Sequence, residues 1–190
     1  MPSSLVMLKA GFDYRDGVLR EVGNIVERAF RSDKNKVVVK PDVLDVAPFL
    51  GENKFNVRKL DELAACLESS IGGANILRFT GYPIAPALTS FGFYILRGYA
   101  PSKRTAFIST PISDKHVSPH LPDYVAVKRW SVLSVHEEGH VIGALEDHPT
   151  SDLYGSDRCP MHLPAVDLDY GYFLDSLGIE FCNACRDNLG

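Results

Sequence analysis

The stretch DYVAVKRWSVLSVHEEGHVIGAL, residues 123–145, limits what this chain folds into more than any other feature. Its texture is that of a long helix, with Val132, Val135, Gly139 and Ile142 at the i, i+3, i+4 spacing of a core-facing stripe. His136 and His140 stand one turn apart on a single face beside that stripe, and Glu137 is one step round. Such a helix needs a core behind it and an opening in front of the histidines. Gly139, between them, lets a neighbouring element come close. The fold must therefore run this helix along the wall of a cleft.

The rest of the chain has the means to supply the core. At 190 residues and 45% hydrophobic it is long enough to bury one. SLVMLKAGF reads as a strand, and DGVLREVGNIVERAF as a helix with Val18, Val22, Ile25, Val26 and Phe30 on one face. KNKVVVKPDVLDV is a β-branched strand region broken by Pro41. Asn56 precedes VRKLDELAACLESSI, helical by period and closed by Gly72 and Gly73. ANILRFTGY, FGFYILRGYA and RTAFISTPI read as further strands, the last two joined by the polar turn PSK. This order predicts an α/β fold with a mixed sheet. After Gly143 the texture changes to turns and cysteines, with a short helix near DYGYFLDSLGI. Residues 1–143 are expected to form an N-terminal α/β subdomain and 144–190 a small C-terminal one, within a single domain.

Charge and hydropathy remove several classes of function. A net charge of −4 offers no basic face for nucleic acid. No apolar run approaches the roughly 18 residues that a membrane span needs. MPSSLVMLKAGFDYRDG reads as a first strand and not as a leader, so a cytoplasmic protein is expected; a monomer is expected as well. In a reducing compartment Cys66, Cys159, Cys182 and Cys185 are thiols or metal ligands sooner than disulfides.

Two neutral imidazoles one turn apart can reach one zinc ion, and Glu137 can touch a water beside it without ligating. Zinc held in this way lowers the pKa of a water and polarises a carbonyl. Glu137 would take the proton from that water and hand it to a leaving amine. The plainer reading is a solvated helix whose histidines are incidental.

Gly143 favours the chemical reading, because glycine there lets the chain leave the helix and bring a third ligand back. HEEGHVIG, then CPM at Cys159 to Met161, then CNAC at Cys182 to Cys185, resembles the archaemetzincins, zinc peptidases with a cysteine-rich tail. Their pattern runs HExxHxxGxxHC, four residues, C-x-M, about seventeen residues, then CxxC. The resemblance implies a metzincin-like mixed β-sheet with a backing helix, an active-site helix and a small cysteine-containing C-terminal subdomain. It also implies peptide or protein substrates, a catalytic zinc and a methionine turn at Met161. The segment HLPAVDL, with Val166 and Leu168, would then wall one side of the substrate cleft. A peptide substrate is expected to lie extended along the RTAFIST region, as an edge strand above the motif helix, by β-addition.

The chain departs from that pattern at definite places. Glu146 stands at the nominal third-histidine position and Asp147 at the following cysteine. Fifteen residues separate Gly143 from Cys159 where the family has eight, and twenty separate Met161 from Cys182. The third ligand is therefore open. His148 is favoured; Glu146 or Asp147 is the alternative, since a carboxylate is an acceptable zinc ligand; a site with only two good ligands is the third reading.

Cys159, Cys182 and Cys185 make three of the four ligands that a second, structural zinc would need. The fourth would come from Asp152, Asp157, His162, or from His148 if it is absent from the first site. A thioredoxin-like role is disfavoured, because the CxxC lies at the chain end and not at the start of a helix. Cys66 reads as a buried small side chain, and His116 and His120 as loop histidines. Beside the peptidase stand a degenerate zinc- or peptide-binding protein and an inert domain carrying a zinc-knuckle interaction tail.

Overall fold

Alternate residues of the first strand face two different cores, which makes the central sheet the middle layer of three. In a computed structural model, Leu5 and Met7 pack into one apolar cluster while Val6 and Leu8 pack into the other. The structure describes residues 4–10, 14–30, 36–41, 44–51, 54–84, 88–89, 92–93, 97–143, 145–148, 158–162 and 169–189.

In chain order the elements are β1 (Ser4–Ala10), α1 (Asp16–Ala29), β2 (Lys36–Pro41), a 3-10 turn (Ala47–Phe49), β3 (Leu50–Gly51) and β4 (Lys54–Phe55). There follow α2 (Val57–Ile71), β5 (Asn75–Thr80), β6 (Leu88–Thr89), β7 (Gly92–Phe93), β8 (Gly98–Tyr99) and β9 (Thr105–Ser109). Helices α3 (Asp123–Gly143), α4 (Tyr170–Ser176) and α5 (Asn183–Leu189) complete the chain. The five-stranded sheet has the order β2-β1-β5-β9-β8. Its first four strands are mutually parallel, and β8 pairs antiparallel with β9 at the edge. This is the mixed α/β sheet that the sequence predicts. Two short antiparallel pairs, β3-β4 and β6-β7, lie apart from it.

Helix α2 covers one face. It starts at Asn56, whose Oδ1 accepts the Arg58 N–H at 2.9 Å, and stops at Gly72, where φ of 81° suits a residue without a Cβ. Its buried stripe is Leu60, Leu63, Ala64 and Leu67. Cys66 falls off that stripe and is exposed, contrary to the expectation of a buried thiol. Helices α1 and α3 cover the other face, and Phe173 and Leu174 of α4, Leu177 and Phe181 between the two last helices, and Cys185 of α5 join the same core. Among the described residues no helix is long and apolar enough to cross a membrane.

Three readings of pattern are corrected here. Ile142 is 40% exposed, because α3 is embedded on nearly all sides only from Trp130 to Gly139 and emerges at its last turn. RTAFIST was expected to offer a free edge for a substrate strand; instead β9 lies between β5 and β8 and is buried along its length. The edge belongs to β8. Finally, Cys182 immediately precedes α5, so the CxxC does open a helix, although no strand feeds it.

Candidate metal centres

Helix α3 carries His136 and His140 on one face, and their rings are held by the backbone around them. His136 Nδ1 bonds Pro160 O at 2.9 Å, and His140 Nδ1 bonds Leu145 O at 2.7 Å. A carbonyl only accepts, so each Nδ1 is the N–H and each Nε2 presents its lone pair. Leu145 N–H also donates to Gly139 O at 3.2 Å, turning the chain back over the helix end. That return brings Asp147 in front of both rings. Asp147 Oδ1 lies 3.3 Å from His136 Nε2 and 3.4 Å from His140 Nε2, and the two Nε2 atoms are 3.2 Å apart.

The three atoms form a near-equilateral triangle of electron-rich acceptors. Bond lengths of about 2.0–2.1 Å to a tetrahedral zinc put ligand atoms roughly 3.3–3.4 Å apart, which matches the three sides. Without a cation a proton must sit among them. The Asp147 hydrogen bond accordingly raises His140, against the lowering effect of burial. Burial lowers His136. At Asp147 burial acts upward, but the His140 hydrogen bond and the charges of His136, His140 and His148 outweigh it and hold the carboxyl below its usual range. These residues fit a zinc ion.

His148 does not join them, which corrects the favoured expectation of three histidines. A trans peptide sends successive side chains different ways, and the His148 ring faces the cysteines. Its Nε2 is 3.0 Å from Cys185 Sγ and 3.8 Å from Cys182 Sγ, while Cys159 Sγ is 3.9 Å from Cys185 Sγ. All four ligand atoms lie within 4.8 Å of one another. Burial raises the Cys159 and Cys185 thiols, and the neighbouring thiols raise Cys185 further. Thiols that oppose each other's ionisation are what a divalent cation relieves, and their spacing suits the roughly 3.8 Å between sulfurs around zinc. The set is three cysteines and a histidine, complete without Asp152 or Asp157, which lie outside the described residues.

Glu146 is exposed and belongs to neither cluster. Met161 is fully buried, in a turn closed by His162 N–H to Cys159 O at 3.3 Å. A Cβ on Gly139 would come within 2.6 Å of Met161 Sδ, so the glycine makes room for the thioether between the two histidine positions. His162 is buried beside the His148 ring, with centroids 5.1 Å apart. His116 and His120 remain away from both clusters. Val166 and Leu168 lie outside the described residues.

Of the two glutamates in HEEGH, Glu138 points to the sheet, where Asn75 Nδ2 donates to its Oε2 at 3.4 Å. Glu137 instead lies against β8: a Cβ on Gly98 would collide with its carboxylate. Burial pushes the Glu137 carboxyl up to about 8, with His140 pulling down and Asp147 pushing up. A cation between the histidines and Asp147 would bring it down again. Arg97, next to Gly98, stacks on the Tyr170 ring at 3.8 Å and donates from Nε to Asp114 at 2.7 Å. Burial raises the Tyr170 hydroxyl; the Arg97 charge opposes that rise, and the charges of Glu137 and Asp114 add to it. Sequence reasoning missed Arg97, Gly98 and Tyr170. They come beside Glu137 through strand register and helix packing, and nothing local marks them.

No family model matches the sequence, and no curated protein matches it either. Among solved structures, the crystal structure of an archaemetzincin from Methanopyrus kandleri matches with a TM-score of 0.69 at 15% identity. It covers 99% of this chain and 93% of that one. The chain thus has an archaemetzincin-like fold, as the motif resemblance implies.

Proposed function

We propose that the chain is a zinc-dependent peptidase whose catalytic ion is held by His136, His140 and Asp147, with Glu137 as general base. The observation that carries this reading is the triangle of ligand atoms at 3.2–3.4 Å, with both histidine tautomers set by backbone carbonyls. Two histidines and a carboxylate are a known catalytic zinc set that leaves a position open. When bound, the ion supplies a more acidic water and a polarised substrate carbonyl. Glu137 accepts the water's proton and delivers it to the leaving amine. Cys159, Cys182, Cys185 and His148 hold a second, structural zinc.

A peptide or protein substrate would lie along β8. In the antiparallel pair Ser109 N–H donates to Arg97 O at 2.8 Å, so Gly98 turns its own N–H and C=O to the outer edge. An extended peptide adding there passes over Glu137. Nucleic acid and membrane are not partners in this proposal, and the chain acts as a monomer in the cytoplasm.

The test is Glu137→Gln assayed against a mixed-sequence peptide library, with zinc content measured alongside. Two zinc ions should remain and cleavage should fall by about 10²–10⁴. Undiminished cleavage would remove Glu137 from the mechanism. A wild-type protein with both ions that cuts no peptide would favour the second reading, a zinc- or peptide-binding protein of the same fold. The exposed Asp147 in place of a third histidine is what supports that alternative.

A further inference from the structure

The two clusters meet at one peptide bond. Asp147 faces the histidines of α3, and His148, the next residue, faces the three cysteines. Nor is that the only shared part. Pro160, next to Cys159, supplies the carbonyl that orients His136, and Met161 after it packs against Gly139. His148 N–H donates to Met161 O at 2.8 Å, in an isolated parallel bridge between His148 and His162. The residues that place Asp147 and orient His136 are therefore tied to two cysteine-centre ligands, His148 and Cys159. His140 is oriented by Leu145 O, on the same return two residues before Asp147.

We infer that His148 and the three cysteines are positioning residues for the catalytic centre: a thiophilic divalent ion on them fixes Asp147, and the histidine–aspartate site gains its affinity only then. This rests on the two-centre reading above. The physical reason is that a carboxylate on a segment 37% exposed at its side chain has little else to hold it. Among the described residues its side chain bonds only to the ligand partners. Anchoring the next residue through a metal–nitrogen bond removes most of that segment's freedom before the second ion arrives. Loss of such outer support costs a metal site about 10–100-fold in affinity.

Cobalt(II) titration of the full, chelator-stripped chain tests the order. Sulfur-to-cobalt charge-transfer absorption reports the cysteine centre, and bound metal after desalting reports the total. The first equivalent should saturate the sulfur signal, and the second should add none. In His148→Ala, affinity for the histidine–aspartate ion should fall about 10–100-fold, while His148→Cys, which restores a fourth cysteine-centre ligand, should recover it. The inference is overturned if His148→Ala binds that ion within about twofold of wild type. If His148→Ala fails to fold by circular dichroism, the wild-type order decides: histidine–aspartate filling ahead of the sulfur signal overturns it. A wild type that takes up one equivalent only defeats the two-centre reading itself. Ordered uptake of two ions by a chain that cleaves nothing defeats the peptidase alone.

Discussion

The two ligand clusters share neighbouring residues yet are built on different plans. The histidine–aspartate centre takes two of its three ligands from one turn of a buried helix, whose rise fixes their separation before the chain does anything else. The cysteine centre draws on three segments: His148 after α3, Cys159 in a turn, and Cys182 and Cys185 at the start of α5. The first is a preformed site with one late-arriving ligand. The second is a clasp that has little geometry until its parts are brought together. Metal should therefore matter to the fold mainly through the second and to chemistry mainly through the first.

Stripping metal should break this comparison most visibly. An ion bound at about 1,000 times its Kd stabilises the native state by about 4 kcal/mol, so a strong chelator should lower the melting temperature by about 8–16 °C in a chain of this size. Most of that shift should belong to the cysteine clasp. Asp147→Ala sharpens the point: one ion should be lost, with affinity at the histidines down more than about 100-fold, beyond what outer-shell changes cause. Nearly all the chelator-sensitive stability should stay. If Asp147→Ala removed that stability as well, the division of labour between the two centres would be wrong.

The difference also explains what could be read from the chain. Helical ligands are legible because a four-residue spacing has one geometric meaning on a helix, whereas β1, apolar on both faces, is legible as a strand by its short apolar run and not by alternation. The cysteines were legible by type and spacing as a group that could hold an ion. Which of Glu146, Asp147 and His148 goes where was not, because direction after a helix end depends on backbone turns that no side chain announces. Asp147 and His148 face different clusters, and His148, the favoured third ligand, lies with the cysteines. The edge strand was misplaced for a similar reason. FGFYILRGYA and RTAFISTPI both read as strands, and only the sheet order puts β8 (Gly98–Tyr99) outside β9. Gly98, Arg97 and Tyr170 follow from that register.

Gly98 tests the catalytic half without touching a ligand. An alanine there meets the Glu137 side chain, which can rotate away, so the fold should lose about 1 kcal/mol while the base leaves its place. Displacing a catalytic group by about 1 Å costs on the order of 100-fold in rate. Gly98→Ala should thus lower kcat for peptide cleavage by about 10–100-fold with both ions retained. Unchanged turnover would mean that β8 does not set the position of Glu137.

The smallest effect is expected at Glu146, and its smallness is informative. Position 146 is where the family's spacing puts a third histidine, so a reader of the motif alone would make Glu146→Ala the disabling change. The chain turns back at Leu145, one residue earlier, and leaves the Glu146 side chain in solvent. Its removal should change stability by no more than about 0.5 kcal/mol, the usual range for an exposed position, and should leave two zinc ions and full cleavage in place. Set beside Asp147→Ala, the pair isolates a single step along the backbone. Metal analysis of the two purified variants reads the difference directly. Loss of an ion in Glu146→Ala, with Asp147→Ala unaffected, would mean that the return from α3 is shifted by one residue, and His148 would then be free to face the other centre.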